Sequence, residues 1–331
     1  MTSNTTPLIS VIIPVYNGEE TILSTIESVL QQTFTDLELI VINDASQDST
    51  LSILSQIEDS RLKVFSYENA GVAISRNRGI EQACGQFISF LDADDIWTQD
   101  KLEAQLKALQ ANPQAGVAYS WVNYINEDGS FFRNGNHITI NGNAYEKMLM
   151  QNVLENGSNP LIRREALSEI GGFNKSLTLV EDWDMWLRLA ARYDFVAVPY
   201  PQILYRISCS SASTNIVKME KACLKFIEQA FSNAPASLQY LKKRTIITFY
   251  HYLTFKSLES PLSRKNGIIA MRCFWNVIYR DISVIWKWQT MLKALSKIST
   301  VLILPPDKYK KLKTIAKKLL IKQPTNQLQR G

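Results

Sequence analysis

The N-terminal part of the chain alternates between continuous apolar runs and amphipathic stretches. Residues 8–16 and 37–44 are apolar runs rich in β-branched side chains, which is typical of buried strands. Between them Ile22, Ile26 and Val29 recur at helical spacing, so the pattern predicts a βαβ unit. It continues with predicted helices near 49–58 and 72–83 and predicted strands at 62–67 and 86–91. Because these strands are continuously apolar, we expect a parallel sheet covered by helices on both faces.

Farther along the chain the elements are less regular, but the pattern still predicts an α/β fold with a Rossmann-like sheet. A strand at 116–125 is followed by a hairpin turn at 126–130 and a helix within 142–152. A strand and a helix within 158–173, a helix at 181–193 and an extended segment at 195–207 complete this part. Ligands of parallel sheets bind beyond the carboxyl ends of the strands, so the loops that begin near Tyr16, Asn43 and Asp92 are expected to converge.

Charge divides the chain into two parts. The whole sequence of 331 residues has a formal net charge of +5. Residues 1–215 hold 14 Lys and Arg against 26 Asp and Glu, a net charge of −12, whereas residues 216–331 hold 22 against 5, a net charge of +17. We therefore expect two bodies that meet different partners, the basic one facing a polyanion such as phospholipid or nucleic acid.

Several function classes lack their motifs in this sequence. The segment after the first predicted strand has one glycine, Gly18, where a dinucleotide-binding loop needs three, and no Walker lysine loop occurs. The four cysteines show no CxxC spacing and there are two histidines, which argues against zinc and favours reduced, structural cysteines in the cytosol. The first ten residues do not resemble a signal peptide, and no apolar stretch reaches about 18 residues, so no membrane-spanning helix is expected.

Three aspartates, Asp92, Asp94 and Asp95, follow the apolar strand at 86–91. In extended chain Asp92 and Asp94 leave the backbone on the same side, and a cluster of like charges is tolerated mainly where a cation binds. All-oxygen ligands favour Mg²⁺ or Mn²⁺, which keep positions for water and substrate phosphates. The alternative is that Asp94 or Asp95 caps a helix near 99–110, a role that suits Asp95 better than the pair.

Asp44 ends the second predicted strand, where a carboxylate can accept hydrogen bonds from a nucleotide base or a ribose hydroxyl. The polar residues that follow it, Ser46, Asp48 and Ser49, are interpreted as ordinary helix-capping residues. This routine interpretation does not extend to Asp44, which is therefore a candidate ligand of the nucleotide.

Two arginines, Arg76 and Arg78, follow a glycine turn in the segment NAGVAISRNRGI. Either one would counter substrate phosphates if it lay near the crevice, and the alternative is a solvated position on the predicted helix. Helix position favours the solvated alternative for Arg78 and leaves both open for Arg76, which we keep as a candidate phosphate-binding residue.

A second acidic cluster, EDWDMW, opens a predicted helix. A sugar transfer with inversion needs a base that takes the proton from the attacking hydroxyl, and a carboxylate in a partly dehydrated cleft can do this. Asp182 is our candidate, with Glu181 and Asp184 as neighbours that orient or cap. The alternative is an acidic first turn that merely suits the helix dipole. Trp183 and Trp186 offer either a face for sugar stacking or core packing.

Five segments, taken in order, resemble the family 2 inverting glycosyltransferases, which have the GT-A fold. The segments are SVIIPVYNGEETILSTIESVLQQTF, LIVINDASQDST, NAGVAISRNRGI, FISFLDADD and LVEDWDMWLRLA, and the resemblance covers about residues 8–207. It implies a nucleotide-diphospho-sugar donor, often UDP-linked, and a divalent metal. It also implies that Pro14, Tyr16 and Asp44 line the nucleotide, that Asp92 and Asp94 form a DxD element, and that Asp182 is the base.

The chain departs from the family pattern in two respects. Many members have Asp and Gly where this chain has Asn43 and Ala45, so a strict preference for uridine stays open. The QxxRW signature and the membrane spans of processive polysaccharide synthases are absent, which favours the addition of one sugar per encounter. We expect residues 1–115 to form the nucleotide-sugar half of the GT-A domain, 116–215 its acceptor half, and 216–331 a basic helical extension.

The segment DKYKKLKTIAKKLLIK places apolar residues on one helical stripe, with seven lysines around it between residues 308 and 322. Upstream, Trp275, Trp286 and Trp288 are combined with arginine and lysine. This composition is typical of a helix on an anionic membrane surface, with a lipid-linked acceptor within reach. One alternative is a helical appendage that packs on the catalytic domain. Nucleic-acid binding is not expected, because no recognition motif accompanies the charge.

The sequence therefore predicts a glycosyltransferase that moves one sugar to a hydroxyl of a glycan or lipid-linked glycan at the cytoplasmic face of the membrane. Two rival classes are a nucleotidyltransferase with a similar sheet and a non-catalytic module that binds nucleotide-sugar or membrane. The first would involve pyrophosphate rather than release of a nucleoside diphosphate. The second would keep its role without Asp182.

Overall fold

A nine-stranded sheet lies at the centre of the N-terminal part of the protein in the computed structural model, which describes residues 6–208, 215–259, 263–281, 283 and 288–303. Its strands are β1 Ile9–Val15, β2 Leu37–Asn43, β3 Leu62–Ser66, β4 Phe87–Phe90, β5 Ile96–Trp97, β6 Ala115–Ile125, β7 Phe131–Asn134, β8 Leu161–Arg163 and β9 Asp194–Arg206. They lie in the order β3-β2-β1-β4-β8-β6-β9-β5, and β7 pairs with β6 off this path.

Helices connect the strands and then form the C-terminal part of the described chain. The first seven are α1 Ile22–Leu30, α2 Thr50–Ser55, α3 Val72–Gln82, α4 Lys101–Ala111, α5 Tyr145–Met150, α6 Arg164–Ile170 and α7 Glu181–Ala190. The last four are α8 Ile216–Asn233, α9 Leu241–Lys256, α10 Arg264–Arg280 and α11 Trp288–Ile303. Each helix and strand predicted between residues 8 and 207 is present within a few residues of its expected bounds, so the α/β prediction is confirmed.

The strands β1 to β4 pair in parallel, as their continuous apolar runs predict. Every residue of β1 and β2 is buried, which is expected of strands covered on both faces. After β3 the chain returns on the other side of β1 to form β4, so the strand order reverses between β1 and β4. Open α/β sheets bind their ligands at such a reversal, beyond the carboxyl ends of the strands.

The second half of the sheet is mixed. β8 runs antiparallel to both β4 and β6, and the hairpin turn predicted at 126–130 joins β6 to the antiparallel β7. The long strand β9 runs parallel to β6, and the two-residue strand β5 pairs antiparallel with β9. β5 begins directly after Asp95 and is the edge strand of the sheet on this side, held there by its pairing with β9.

A buried glutamate, Glu38, joins β1, β2 and the turn before β4. Its carboxylate accepts hydrogen bonds from Ser10 Oγ at 2.6 Å and from the amide of Cys84 at 2.6 Å, and it pairs with Lys63 Nζ at 2.8 Å. Burial acts to raise the pKa of Glu38, but these partners together outweigh burial and the pKa is lowered. Gly85 packs so closely here that a Cβ would lie 2.6 Å from the backbone nitrogen of Ser10.

The chain divides into two compact units. The first consists of Met1–Ala212 with Lys221–Lys242 and contains the sheet; the second consists of Ser213–Glu220 with Lys243–Gly331 and contains α10 and α11. None of the helices within the described ranges combines the length and the apolar character that a membrane crossing requires. The basic stripe predicted at 308–322 lies outside the described residues.

The cysteines among the described residues, Cys84, Cys223 and Cys273, are free thiols. Cys223 and Cys273 are buried, and burial raises the pKa of Cys273 to about 11. These two therefore have the reduced, structural character that was expected, while Cys209 lies outside the described residues.

Candidate active site

The loops that follow β1, β2 and β4 begin side by side at the carboxyl edge of the sheet, as predicted. Val15 pairs with Asn43 across β1 and β2, and the amide of Asp44 donates to the carbonyl oxygen of Val15 at 2.8 Å. On the other side of β1 the amide of Leu91 donates to the carbonyl oxygen of Ile12 at 3.0 Å. The polar residues after these strands therefore share one edge of the sheet.

Two residues expected to line the nucleotide belong to β1 and its loop. Pro14 is buried in β1 opposite Ile42, whereas Tyr16 follows the strand and is 54% exposed. The exposed ring of Tyr16 is available for stacking on a base. Pro14 lies within the strand, so it would contribute to nucleotide binding through the shape of the strand end.

Five hydrogen bonds cross-link the loop after β1 to the loop after β2. The amide of Asn17 donates to Ser46 Oγ, and Asn17 Oδ1 accepts from the amide of Gln47. In the same way the amide of Glu19 donates to Asp48 Oδ2, and Glu19 Oε2 accepts from the amide of Ser49. The amide of Gly18 donates to Thr50 Oγ1, and all five distances are 2.8 to 3.0 Å. Ala45 in the second loop has a φ of 64°, a left-handed conformation in which a side chain is strained by roughly 1–2 kcal/mol. Glycine, which many family members have at this position, would adopt this conformation freely.

The three residues interpreted as caps of α2 have different roles. Asp48 accepts a hydrogen bond from the amide of Thr50 at 3.0 Å, so its capping role is confirmed. Ser46 instead accepts a hydrogen bond from the amide of Asn17, so the interpretation is wrong for Ser46. Ser49 occupies the N-cap position of α2 but makes no side-chain capping bond. The polar residues after Asp44 thus serve the contact between the loops as much as the helix.

Asp44 is a buried carboxylate that anchors the turn before α3. Its Oδ1 accepts hydrogen bonds from the amide of Ala70 at 2.9 Å and from Arg78 Nη1 at 3.2 Å, and its Oδ2 accepts from the amide of Gly71 at 2.8 Å. The Arg78 guanidinium also lies 4.5 Å from the ring centroid of Tyr67. The solvated alternative is therefore wrong for Arg78, which sequence reasoning did not connect with Asp44.

Arg76 lies inside the protein between two carboxylates. Its guanidinium pairs with Asp92 at 2.5 Å and with Glu181 at 3.0 Å, and 3% of its side chain is exposed. Burial acts to lower the pKa of Arg76, but the charges of Asp92, Glu181 and Asp182 outweigh it and raise the pKa. The solvated alternative is wrong for Arg76 as well. This arginine links the acidic loop after β4 to the first turn of α7.

Asp95 is not a helix cap, and the capping prediction is wrong. α4 begins at Lys101, beyond β5, whereas Asp95 is fully buried. Its carboxylate accepts hydrogen bonds from Ser158 Oγ and from the amide of Arg206. Burial and the charge of Asp94 raise the pKa of Asp95 well above its ordinary value.

Asp92 and Asp94 remain as the carboxylates that can hold a cation. Asp92 uses Oδ1 for Arg76, and its side chain is 26% exposed. Burial and the charge of Asp92 raise the pKa of Asp94 to about 6, against the opposing charge of Arg206. A divalent cation would relieve this repulsion, so the two carboxylates fit Mg²⁺ or Mn²⁺. Within the described residues no three His, Cys, Asp or Glu side chains form a metal-ligand group. Mg²⁺ and Mn²⁺ keep coordination positions for water and substrate phosphates, so a pair of carboxylates is compatible with such an ion.

Asp182 lies in the first turn of α7. Asn152 Nδ2 donates to its Oδ2 at 3.1 Å, and the amide of Trp183 donates to its Oδ1 at 2.7 Å. Burial and the charge of Glu181 raise the pKa of Asp182 to about 7, against the opposing charge of Arg76. A carboxylate with a pKa near neutrality is suited to accept a proton from a hydroxyl.

The two tryptophans of α7 are packed inside the protein. Trp186 is fully buried, and its ring centroid lies 6.5 Å from that of Phe90, so the core interpretation is confirmed for it. Trp183 donates from Nε1 to the carbonyl oxygen of Met148 at 2.8 Å and packs with its ring centroid 4.8 Å from that of Phe226. Sugar stacking on either tryptophan is therefore not supported.

Sequence reasoning missed the residues that hold the acidic loop in place. Ser158 Oγ accepts a hydrogen bond from the amide of Asp92 at 3.0 Å, and Arg206 Nε donates one to the carbonyl oxygen of Asp94 at 2.9 Å. The one signal available was the polar run QNVLENGSNP before β8, which also contains the Asn152 that contacts Asp182. A run of polar residues that leads into a buried strand favours hydrogen bonding to neighbouring loops.

The fold and the buried carboxylates at the carboxyl edge of its sheet agree with a sugar-transferring enzyme. The family model described as "Glycosyltransferase like family 2" matches residues 10–257. The chain belongs to this family, and the resemblance drawn from five motifs is confirmed. Its class of activity is glycosyl transfer. The two rival classes, a nucleotidyltransferase and a binding module without catalysis, are therefore not supported.

A relative supports the same assignment, and two solved structures show the same fold. The Escherichia coli UDP-Glc:alpha-D-GlcNAc-diphosphoundecaprenol beta-1,3-glucosyltransferase WfgD is 32% identical over 246 residues, which cover 72% of this chain and 93% of that protein. The structure of S. aureus TarS 1-349 in complex with UDP-GlcNAc matches with a TM-score of 0.61 at 18% identity and covers 92% of each chain. Mannosyltransferase PcManGT from Pyrobaculum calidifontis, in complex with GDP-Man and Mn²⁺, matches with a TM-score of 0.57 at 19% identity and covers 91% of this chain and 88% of that one. The expected GT-A fold is confirmed.

Proposed function

We propose that this glycosyltransferase transfers one sugar per encounter, with inversion, from a nucleotide-diphospho-sugar to a hydroxyl of a glycan or lipid-linked glycan. The observation that carries the proposal is the Asp182 carboxylate, whose pKa of about 7 suits a general base. In such a transfer the acceptor oxygen forms a bond to the anomeric carbon, its proton passes to Asp182, and the bond to the diphosphate breaks. One carboxylate base is sufficient for this step.

Asp92 and Asp94 would hold a divalent cation, Mn²⁺ or Mg²⁺, in the arrangement that the DxD resemblance implies. When bound, such a cation supplies charge neutralisation to the departing diphosphate. The support comes from the raised pKa of Asp94 beside Asp92 and from the Mn²⁺ bound by the structural neighbour PcManGT. Arg76 holds Asp92 Oδ1, so its contribution to donor binding would pass through the orientation of that carboxylate.

The nucleotide would lie against the loops after β1 and β2, lined by Pro14, Tyr16 and Asp44. We propose a UDP-linked donor, supported by the name of the relative WfgD and by the UDP-GlcNAc bound to TarS. Asn43, which stands where many family members have aspartate, already uses its side chain within the protein. Its Nδ2 donates a hydrogen bond to Ser66 Oγ at 3.2 Å, and its Oδ1 accepts one from the amide of Ser46. Recognition of the base would therefore rest on Tyr16, on the backbone of these loops and on Asp44 Oδ2, which accepts one hydrogen bond within the protein and has a lone pair left.

The acceptor side of the proposal concerns residues 116–215 and 216–331. Residues 116–215 would provide the acceptor half of the GT-A domain, opposite the donor half formed by residues 1–115. The basic extension, with a net charge of +17, would hold the protein against the anionic, cytoplasmic face of the membrane, where a lipid-linked acceptor is found. The name of WfgD, which acts on a diphosphoundecaprenol-linked sugar, supports this acceptor class.

A panel of UDP- and GDP-sugars tests the donor and the metal together. The full chain is incubated with each donor and a glycan acceptor, with Mn²⁺, with Mg²⁺ or with a chelator, and release of nucleoside diphosphate is followed. We expect release from a UDP-sugar in the presence of metal, and a loss of at least about 10²-fold in the double variant Asp92→Asn/Asp94→Asn. Asp100→Asn, an exposed aspartate before α4, is the matched control.

Two results would contradict the proposal. Rates that are equal with chelator and with metal would exclude a cation at Asp92 and Asp94. A product that retains the anomeric configuration of the donor, as read by NMR of the purified glycan, would exclude direct attack assisted by Asp182.

A further inference from the structure

Helix α10 is apolar on two sides. The buried side consists of Gly267, Ala270, Cys273, Phe274 and Val277. On the opposite side Ile268 is 60% exposed, Trp275 is 60% exposed and Tyr279 is 89% exposed. A surface helix normally turns polar residues to water, and large apolar side chains that cluster in the open mark a contact surface.

These exposed side chains form one continuous surface, which we call the α10 face. They recur at intervals of three or four positions with Met271 and Arg272 between them, so they lie along a single helical stripe. Together with Asn276 and with Leu302 of α11 they line an open groove of about 570 Å³. The groove is shallow and mostly apolar, which suits hydrocarbon and aromatic contacts better than a small polar ligand.

The charged side chains of the two helices that form the α10 face are all cations. Helices α10 and α11 contain six cations and no Asp or Glu in their sequences: Arg264, Lys265, Arg272, Arg280, Lys293 and Lys297. Arg272 pairs with Glu220, and the side chains of Arg264, Lys265, Lys293 and Lys297 are exposed. A second copy of the chain would bring positive surfaces together, so the charge disfavours self-association through this face.

We propose that the α10 face inserts into the headgroup region of an anionic lipid bilayer. Trp and Tyr are the side chains that settle at the boundary between hydrocarbon and water, because each joins an apolar ring to a polar group. Lysine and arginine around them meet the lipid phosphates. This inference deepens the membrane contact proposed above and rests on it. To the expected residues 308–322 and Trp275 it adds Ile268 and Tyr279, and it places the contact on one face of α10.

Vesicle partitioning of the full chain tests the α10 face. Binding is measured by co-sedimentation with vesicles of phosphatidylcholine alone and with vesicles of phosphatidylcholine and phosphatidylglycerol in equal parts. We expect the wild type to prefer the anionic vesicles, and the double variant Trp275→Ala/Tyr279→Ala to bind them at least about tenfold more weakly. Tyr240→Ala, which removes a 69% exposed aromatic ring from the first unit, should bind as the wild type does. Binding should also fall as salt is raised.

The possible outcomes separate this face from the rest of the proposed function. Wild-type protein that binds neither vesicle overturns both membrane proposals, while nucleoside diphosphate release from a soluble acceptor continues to report on the transferase. A double variant that binds anionic vesicles as tightly as the wild type overturns the α10 face alone. A double variant whose mass in light scattering falls from that of a dimer to that of a monomer also overturns it, because the face would then join two copies of the chain.

Discussion

The pH dependence of transfer tests whether Asp182 is the base. Burial and Glu181 raise its pKa to about 7, and the base can act only when it is deprotonated. With that pKa, about a tenth of Asp182 is charged at pH 6, about half at pH 7 and about nine tenths at pH 8. The value of kcat/KM should therefore rise about tenfold between pH 6 and pH 8 and then level off.

Two variants connect this profile to the residue. Asp182→Asn should lower kcat/KM by about 10²- to 10⁴-fold and remove the rise with pH, since an amide cannot accept the proton. Asp184→Asn is the matched control: it lies in the same helical turn, and its carboxylate pairs with Arg188 at 2.8 Å. The control should keep the pH profile of the wild type, because the Asp184 charge is committed to that pair. The assay is release of nucleoside diphosphate at limiting donor, with protein folding checked by circular dichroism.

A wild-type profile that is flat between pH 6 and pH 8 would refute the reasoning from burial. An Asp182→Asn protein that keeps the same rise with pH would refute the assignment, because another group would then be titrating. A large loss in Asp184→Asn would point to a general effect of the acidic turn of α7 on the donor rather than to a single base.

Three further predictions concern the free energy of unfolding, measured by urea titration. Arg76→Leu removes a buried guanidinium from the buried carboxylate of Glu181 and the partly buried carboxylate of Asp92, and should destabilise the protein by about 3–5 kcal/mol; wild-type stability in this variant would contradict the ion-pair reasoning. Gly85→Ala brings a Cβ within 2.6 Å of the Ser10 backbone nitrogen and should cost about 1–3 kcal/mol, whereas an unchanged midpoint would show that the strands can move apart. Glu38→Gln should cost about 1–3 kcal/mol at neutral pH, with the exposed Glu27→Gln as control. Because the pKa of Glu38 is lowered by folding, its charge contributes stability above the unfolded pKa, so the difference from Glu38→Gln should shrink as pH falls through the folded pKa; a constant difference would count against this.

Local pattern was sufficient to predict the parallel half of the sheet and the edge of the sheet at which its loops meet. β1 and β2 are continuous apolar runs that are buried along their whole length. A parallel sheet brings the carboxyl ends of its strands to one edge, so Asp44 and Asp92 could be placed together from their positions in the chain. Asp182 could be proposed because it lies in the first turn of an amphipathic helix, within a cluster of acids.

The partners of the charged residues could not be predicted in the same way. Helix position alone made Arg78 look solvated, yet it contacts Asp44 at 3.2 Å. Asp95 precedes a helix and resembled a cap, yet its hydrogen-bond partners are Ser158 and the amide of Arg206. Periodicity indicates which face of an element a side chain occupies, but it carries no information about which distant segment packs there.

The hydrogen bonds between the loops after β1 and β2 have a consequence for the choice of donor. Asn17 and Glu19 on one loop and Ser46 and Asp48 on the other are each other's partners, so neither loop can change its backbone alone. If the nucleotide binds there as proposed, it would meet a surface whose shape is already set, and little conformational entropy would be lost on binding. Exchanging one loop for that of a relative with another nucleotide preference would leave the second loop without its partners, so the two would have to be exchanged as a pair.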